Sequence, residues 1–490
     1  MTHRRRAGAA AILLIAAGSI ARAAAENQTA PSPALEEVGA RLVAAINADD
    51  EASRRALLPQ VFSEATLEAV GTERLLRFVA GLRQQLGRIT LHHSEVAEHG
   101  RGADLRRVLH VFVRQEADGR FKDLQARLDP APPHAIKEVV FLAEVAEPVY
   151  LPNGDITAAE TLAWLDRYVT RLVEAEGLSG SLLVARGDEA LFERSFGFED
   201  AGRTRPVVAG SRFAIASGGK MFTALAVARL VAAGKLSWDA PIAPLLPELP
   251  PSPHLAACRL RHLLSHTSGI REYWTEEFHA LPSPPRTLRE YLPHVLKVGT
   301  AFAPGEGFAY SNSNFILLGL ILERVSGEDY FAHVAHQVFE PAGMRATLAR
   351  QIEGPGVAEP LAREGAGWRR IEREPGGGSS AGGALSTPRD LLRFARALRQ
   401  ATLVPGELLR TLTSSQIGDH AREEDYGFGF QLFEAGGARS WGHGGQAPGA
   451  GFLFRYFPDR DLTVVACTNQ DNGAFDDLAK NVVKLVTGQR

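Results

Sequence analysis

Ser217-Gly218-Gly219-Lys220 is followed by Met221, Phe222, Leu225, Val227 and Leu230, with Gly234 as a stop signal. Apolar residues spread around a helix in this way belong to a buried helix rather than a surface one. The S-x-x-K motif therefore opens a buried helix, which needs other elements packed around it. A chain of 490 residues can supply them, since at roughly 100 to 200 residues per domain it predicts two or three domains and a sizeable core. Hydrophobic residues at 45% and charged residues at 23% exclude disorder, coiled coil and collagen for most of the chain.

A serine at a helix start has its hydroxyl near free backbone N–H groups and the positive end of the helix dipole. A lysine one turn later lies on the same face, within reach of that hydroxyl. Serine alone is a weak nucleophile, and a lysine can take its proton only where burial or nearby cations keep some of the amine neutral. The plain alternative is a capping serine with an exposed lysine, and S-x-x-K alone is common by chance. Two further segments bear on the choice. Tyr310-Ser311-Asn312 follows the turn Ala303-Pro304-Gly305-Glu306-Gly307 and enters the apolar helix Phe315 to Val325. Trp441-Gly442-His443-Gly444-Gly445 is expected to end a strand, where two glycines let a ligand approach the backbone. Taken singly, Tyr310 reads as a core aromatic, Asn312 as a helix cap and His443 as a satisfied strand-end histidine.

In this order, roughly 90 and 130 residues apart, S-x-x-K, Y-S-N and H-G-G resemble the three active-site motifs of the serine β-lactamase and penicillin-binding protein superfamily. Class C β-lactamases, DD-peptidases, D-aminopeptidases and related esterases are the nearest branches. Phe213-Ala214-Ile215-Ala216, Leu264-Ser265-His266-Thr267-Ser268-Gly269, Gly382-Gly383-Ala384-Leu385-Ser386-Thr387 and Tyr456-Phe457-Pro458-Asp459 extend the resemblance over residues 152–490. It implies that Ser217 attacks a carbonyl, that Lys220 and Tyr310 move protons, and that Asn312 positions the substrate amide or Lys220. His443 would replace the usual third-motif lysine, with Gly444 and Gly445 beside the substrate. The backbone N–H groups of Ser217 and Gln446 would form the oxyanion hole. Histidine weakens the fixed positive charge that would hold a substrate carboxylate, which ranks esterase or peptidase above efficient β-lactamase.

The expected fold class is α+β. A β-lactamase-like domain over 152–490 has an antiparallel sheet flanked by helices, with a helix-rich insertion. Its strands are expected at Gly180 to Ala185, Ala190 to Phe196, Tyr426 to Phe433, Ala438 to His443, Phe452 to Phe457 and Leu462 to Thr468. A smaller domain over 31–148 precedes it. There, helical patterns through Leu86 give way to four strand-like segments, Ile89 to Val96, Arg106 to Arg114, Arg120 to Leu128 and Ile136 to Val145. That order resembles the cone-shaped folds of the nuclear transport factor two and cystatin-like superfamily. Residues 1–25 carry Arg4, Arg5 and Arg6, an apolar run and then small residues to Ala25, the pattern of a cleaved secretory signal. The run is shorter than the roughly 20 residues a bilayer requires, so no stable membrane anchor is expected.

Cys258 and Cys467 each lie beside apolar residues and read as buried free thiols rather than a disulfide. His92 and His93 are adjacent on a strand, so their side chains would point to opposite faces and serve structure rather than one metal. Gly378-Ser379-Ser380-Ala381-Gly382 fits G-x-S-x-G, but a nucleophile elbow needs a strand before it and a helix directly after. A flexible rim loop is expected there instead. His266 is left outside the catalytic set, because the lysine already supplies a base. A net charge of −3 gives no basic footprint for nucleic acid, and no motif indicates a metal or other cofactor. The expected protein is an exported, periplasmic or secreted serine hydrolase that cleaves a small ester, peptide or lactam through acyl-Ser217. The alternative is a non-catalytic binding protein of the cell envelope that retains the pocket. Oligomeric state stays open.

Overall fold

The computed structural model describes residues 35–99, 106–117, 121–128, 136–145, 157–365, 367–372, 377–420, 425–435, 437–471 and 473–488. The expected signal segment and the boundary at Pro148 to Gly154 lie outside them. The chain divides into two units, Met1–Tyr150 and Leu151–Arg490.

In the first unit four helices precede four strands: α1 Leu35–Asn47, α2 Glu51–Val61, α3 Glu64–Val70, α4 Thr72–Leu86, β1 Ile89–His99, β2 Arg106–Gln115, β3 Phe121–Leu128 and β4 Ile136–Val145. The helical stretch is cut where Ser63 caps α3 by accepting from Thr66 N, and where Gly71 at φ 84° turns the chain into α4. The strands form an antiparallel meander in chain order. Val38, Leu42 and Ile46 of α1 share a core with Leu109, Val111, Val113, Leu124 and Ala126 of the sheet. The register of β1 slips between Leu91 and His93, so a bulge interrupts the simple alternation expected of His92 and His93. His92 is exposed, with its ring edge-on to Phe121 at 5.0 Å. Among the described residues no cluster of His, Cys, Asp or Glu could hold a metal ion.

The second unit is built on a seven-stranded antiparallel sheet. Its strands are β5 Gly180–Arg186, β6 Glu189–Phe196, β7 Asp425–Tyr426, β8 Gln431–Ala435, β9 Ala438–Ala447, β10 Ala450–Phe457 and β11 Leu462–Thr468, in the spatial order β7-β8-β9-β10-β11-β5-β6. Helix α5, Ala158–Glu176, leads into β5, and helix α9, Gly473–Thr487, follows β11 and packs near α5. Between β6 and β7 the chain supplies the buried helix α6, Gly219–Ala232, then α7, Asn312–Ser326, and α8, Pro388–Arg399. Phe222 of α6 packs edge-on to Phe394 of α8 at 5.1 Å, and Phe394 in turn meets Phe454 of the sheet at 5.7 Å. The apolar positions around α6 are therefore used on both its helix and its sheet sides.

Two strand expectations are corrected. Tyr426 to Phe433 is two strands, because Gly427 N donates to Phe430 O at 2.8 Å and turns the chain. The turn requires glycine, since Gly429 sits at φ 76° and a Cβ on Gly427 would lie 2.0 Å from Leu412 O. Strand β9 does not end at His443 but runs through Gly444 and Gly445 to Ala447. Cys258 and Cys467 are both buried and free, and burial pushes the Cys258 thiol up to about 12. No described helix is long and apolar enough to cross a membrane.

Candidate active site

The turn before α6 is unusual for its backbone. Ala216 has φ 42°, a left-handed conformation that a residue with a Cβ adopts only when its surroundings hold it there. Glycines make those surroundings. A Cβ on Gly445 would lie 2.5 Å from Ile215 O and 3.0 Å from Ser217 N, and one on Gly382 would lie 2.6 Å from Ala216 O. Strand β9 and the 382–383 segment thus close on the turn from two sides, and Gly383 N donates to Ala216 O at 3.1 Å. Within the run from Ile215 to Lys220, Ser217 alone is partly exposed.

Lys220 has no exposed surface. A buried amine is tolerated only with hydrogen-bond partners, and the site supplies three oxygens. Nζ lies 3.1 Å from Ser217 Oγ, 2.6 Å from Asn312 Oδ1 and 2.6 Å from Ala381 O. Tyr310 covers it with its ring centroid 4.8 Å from Nζ, and Phe315 with its own at 5.5 Å. The structure thus brings Ser217, Lys220, Tyr310 and Asn312 together at the entrances to α6 and α7.

Ala381 belongs to the segment read above as a flexible rim loop, and that reading is corrected. Residues 378–388 are all buried. Thr223, one turn after Lys220 on α6, donates from Oγ1 to Ser380 O at 2.7 Å and meets Tyr330 OH at 2.7 Å. Two side chains on one helix face therefore pin two consecutive carbonyls. Ser380 itself is fully buried, and its Oγ has no hydrogen-bond partner among the described residues. The next helix begins only at Pro388, so the elbow geometry is not formed.

His443 lies beside this cluster, its ring centroid 6.3 Å from that of Tyr310. Both its nitrogens are used internally. Nδ1 donates to Gly444 O, and Nε2 accepts from Tyr426 OH at 2.9 Å. Burial first, and then the Lys220 charge, pushes its pKa down to about 3. His443 is thus a neutral wall residue, in place of the charged substrate hook that a third-motif lysine would be. Gly444 N is bound by Gln431 Oε1 at 2.7 Å. The Gln446 side chain turns to Asp476 Oδ1 at 2.7 Å, and its main chain lies opposite Gly451 in the β9–β10 pairing.

His266, at φ 58°, is fully buried. Its Nδ1 accepts from Ser311 N at 3.1 Å and its ring lies tilted against that of Tyr310, centroids 4.2 Å apart, so it holds the Tyr310-Ser311-Asn312 segment in place. Burial first, and then the Lys220 charge, keeps its pKa well below 6.5. Three site members were not anticipated: Ala381 through its carbonyl, Tyr426 as the partner of His443, and Glu272, whose Oε2 accepts from Asn312 Nδ2 at 3.0 Å. No sequence motif marks Glu272, which becomes a neighbour of Asn312 only through the fold.

The family model described as Beta-lactamase matches residues 165–489. The chain is 31% identical over 366 residues to esterase EstB of Burkholderia gladioli, covering 64% of this chain and 92% of the relative. It is 27% identical over 323 residues to penicillin-binding protein 4* of Bacillus subtilis, covering 61% of this chain and 70% of the relative. It is also 27% identical to a D-aminopeptidase of Cereibacter sphaeroides, covering 63% of this chain and 60% of that protein's length. Among solved structures, a penicillin-binding protein from Bacillus halodurans is similar with a TM-score of 0.58 and 29% identity, covering 69% of this chain and all (100%) of the other. D-amino acid amidase from Ochrobactrum anthropi, at a TM-score of 0.58 and 23% identity over 68% of this chain and 100% of that one, shares the fold. Residues 165–489 carry the family's fold around a serine, a lysine and a tyrosine gathered at two helix entrances, and the chain belongs to the β-lactamase family of serine hydrolases.

Proposed function

We propose that the protein is an exported serine hydrolase that cleaves a neutral ester or amide through an acyl-Ser217 intermediate. The observation that carries this reading is the surroundings of Lys220 Nζ, whose partners include two carbonyl oxygens and the Ser217 hydroxyl. A neutral amine has two hydrogens and one lone pair. With Asn312 Oδ1 and Ala381 O accepting the hydrogens, the lone pair faces Ser217 Oγ and can take its proton.

As Oγ bonds to the substrate carbonyl carbon, its proton moves to Nζ and the carbonyl oxygen becomes an oxyanion. The backbone N–H groups of Ser217 and Gln446 are assigned to that oxyanion. When the intermediate collapses, the bond to the leaving group breaks, and the leaving group receives the proton through Lys220 or Tyr310. Water then repeats the sequence on the acyl-enzyme. A neutral His443 offers no charge to a substrate carboxylate, which favours neutral esters and amides over carboxylate-bearing peptides and lactams. Similarity to proteins named esterase and D-aminopeptidase supports the same branch. Export rests on the N-terminal pattern of residues 1–25. The first unit, helices followed by a strand meander, we read as a cone-like domain of the cystatin-like kind.

The test is steady-state turnover of a short-chain nitrophenyl ester, a D-alanine anilide and a penicillin by the purified chain, with Ser217→Ala as control. Turnover of ester or anilide, absent in Ser217→Ala, is expected. Binding without turnover, or turnover that survives the substitution, overturns the reading in favour of a binding protein or another nucleophile.

A further inference from the structure

The direction of the Asn312 amide decides what Lys220 can do. With Oδ1 toward Nζ, Asn312 absorbs one amine hydrogen. With Nδ2 toward Nζ, two donors would oppose each other and the lone pair would be drawn away from Ser217. Which end points where is settled by the other neighbour of the amide. That neighbour is Glu272, whose Oε2 accepts from Asn312 Nδ2 at 3.0 Å and from Asn312 N at 2.7 Å. Its other oxygen, Oε1, accepts from Trp274 N at 2.9 Å. Three N–H donors converge on one carboxylate, an acceptor-only arrangement that a flipped Asn312 would break. Ser311, the residue before α7, makes no capping bond with its side chain, so Glu272 also occupies the place of a helix cap.

We propose that Glu272 is a positioning residue of the reaction. It locks the Asn312 amide with its oxygen toward Lys220 and so keeps the lysine lone pair on Ser217. The proposal rests on Lys220 acting as the base for Ser217.

Capping and orienting are separable. The bond to Asn312 N survives removal of the Asn312 side chain, whereas the orienting bond does not. The experiment is a double-mutant cycle on Glu272→Ala and Asn312→Ala, following kcat/KM for a nitrophenyl ester alongside the melting temperature. Glu272→Ala is expected to lower kcat/KM about 10-fold or more in the wild-type background and less than about 2-fold in Asn312→Ala. The loss in melting temperature is expected in both backgrounds, because the cap is lost in both. Glu272→Gln, which keeps an oxygen for Asn312 Nδ2, is expected to recover most of kcat/KM and serves as the readout should Glu272→Ala fold poorly. Equal, additive losses of kcat/KM in the two backgrounds, or a Gln variant as impaired as Ala, would overturn the proposal. An inactive wild type would instead refute the hydrolase reading beneath it, so the two failures are distinguishable.

Discussion

Ser217 and Ser380 sit on two closely packed segments, each within a motif that sequence patterns associate with nucleophiles. Ser217 is partly exposed, stands at the entrance to α6 and has an amine 3.1 Å from its oxygen. Ser380 is fully buried, its hydroxyl has no hydrogen-bond partner among the described residues, and a Cβ on Gly319 of α7 would lie 2.3 Å from that hydroxyl oxygen. On the proposed reading, reactivity comes from the base and the access around a serine, and the second serine serves packing. Its neighbour Ala381 still matters chemically, through a carbonyl alone.

The largest effect expected from breaking this contrast is at Lys220. Lys220→Met should lower kcat/KM by about 1,000-fold or more while leaving the fold intact, since an apolar chain of similar length fills the same buried volume. Lys220→Arg should not restore activity, because a guanidinium cannot give up its proton to become a base. Steady-state kinetics on an ester substrate checks both.

Next in size is the packing side. Gly319→Ala gains about 1 kcal/mol of helix propensity. Its methyl would nevertheless meet Ser380 Oγ at 2.3 Å and Leu288 Cδ1 at 2.5 Å. A net loss of about 2 kcal/mol in urea unfolding is expected, partly recovered by Ser380→Gly.

Smaller is the pH response of the two buried histidines near Ser217 and Lys220. His443 binds a proton near 6.5 when unfolded but only at about 3 in the fold, and His266 is shifted in the same direction. The unfolded chain therefore takes up protons first. The stability tied to these groups is complete above pH 6.5 and is lost as pH falls below it, for His443 down to about 3 at about 1.4 kcal/mol per pH unit. His443→Gln, which keeps an acceptor for Tyr426, should flatten the acid side of a melting-temperature profile. The smallest effect is Ser380→Ala, which removes a hydroxyl with no partner among the described residues and should change stability by less than about 1 kcal/mol, with turnover unaltered.

The order of elements was largely legible in the sequence, because the helical patterns through Leu86 and the all-round apolar character of α6 leave one reading. Strand limits were less so. Tyr426 to Phe433 has strand-like composition throughout, and only the tertiary contact of Gly427 with Leu412 O shows why it must turn. In the site, Ser217, Lys220, Tyr310 and Asn312 were legible as members of spaced motifs. Ala381 and Glu272 were not, since a backbone carbonyl has no residue signature and Glu272 meets Asn312 across 40 residues of chain. His443 was visible as a position, but its neutrality depends on Tyr426 and on burial, which a single sequence does not display.

Peptide-mapped mass spectrometry after exposure to a fluorophosphonate probe tests the contrast most directly, with Ser217→Ala and Ser380→Ala as the paired controls. The expected result is one adduct on the peptide containing Ser217, lost in Ser217→Ala and kept in Ser380→Ala. An adduct on Ser380, or one that persists in Ser217→Ala, would contradict the assignment of the reactive serine.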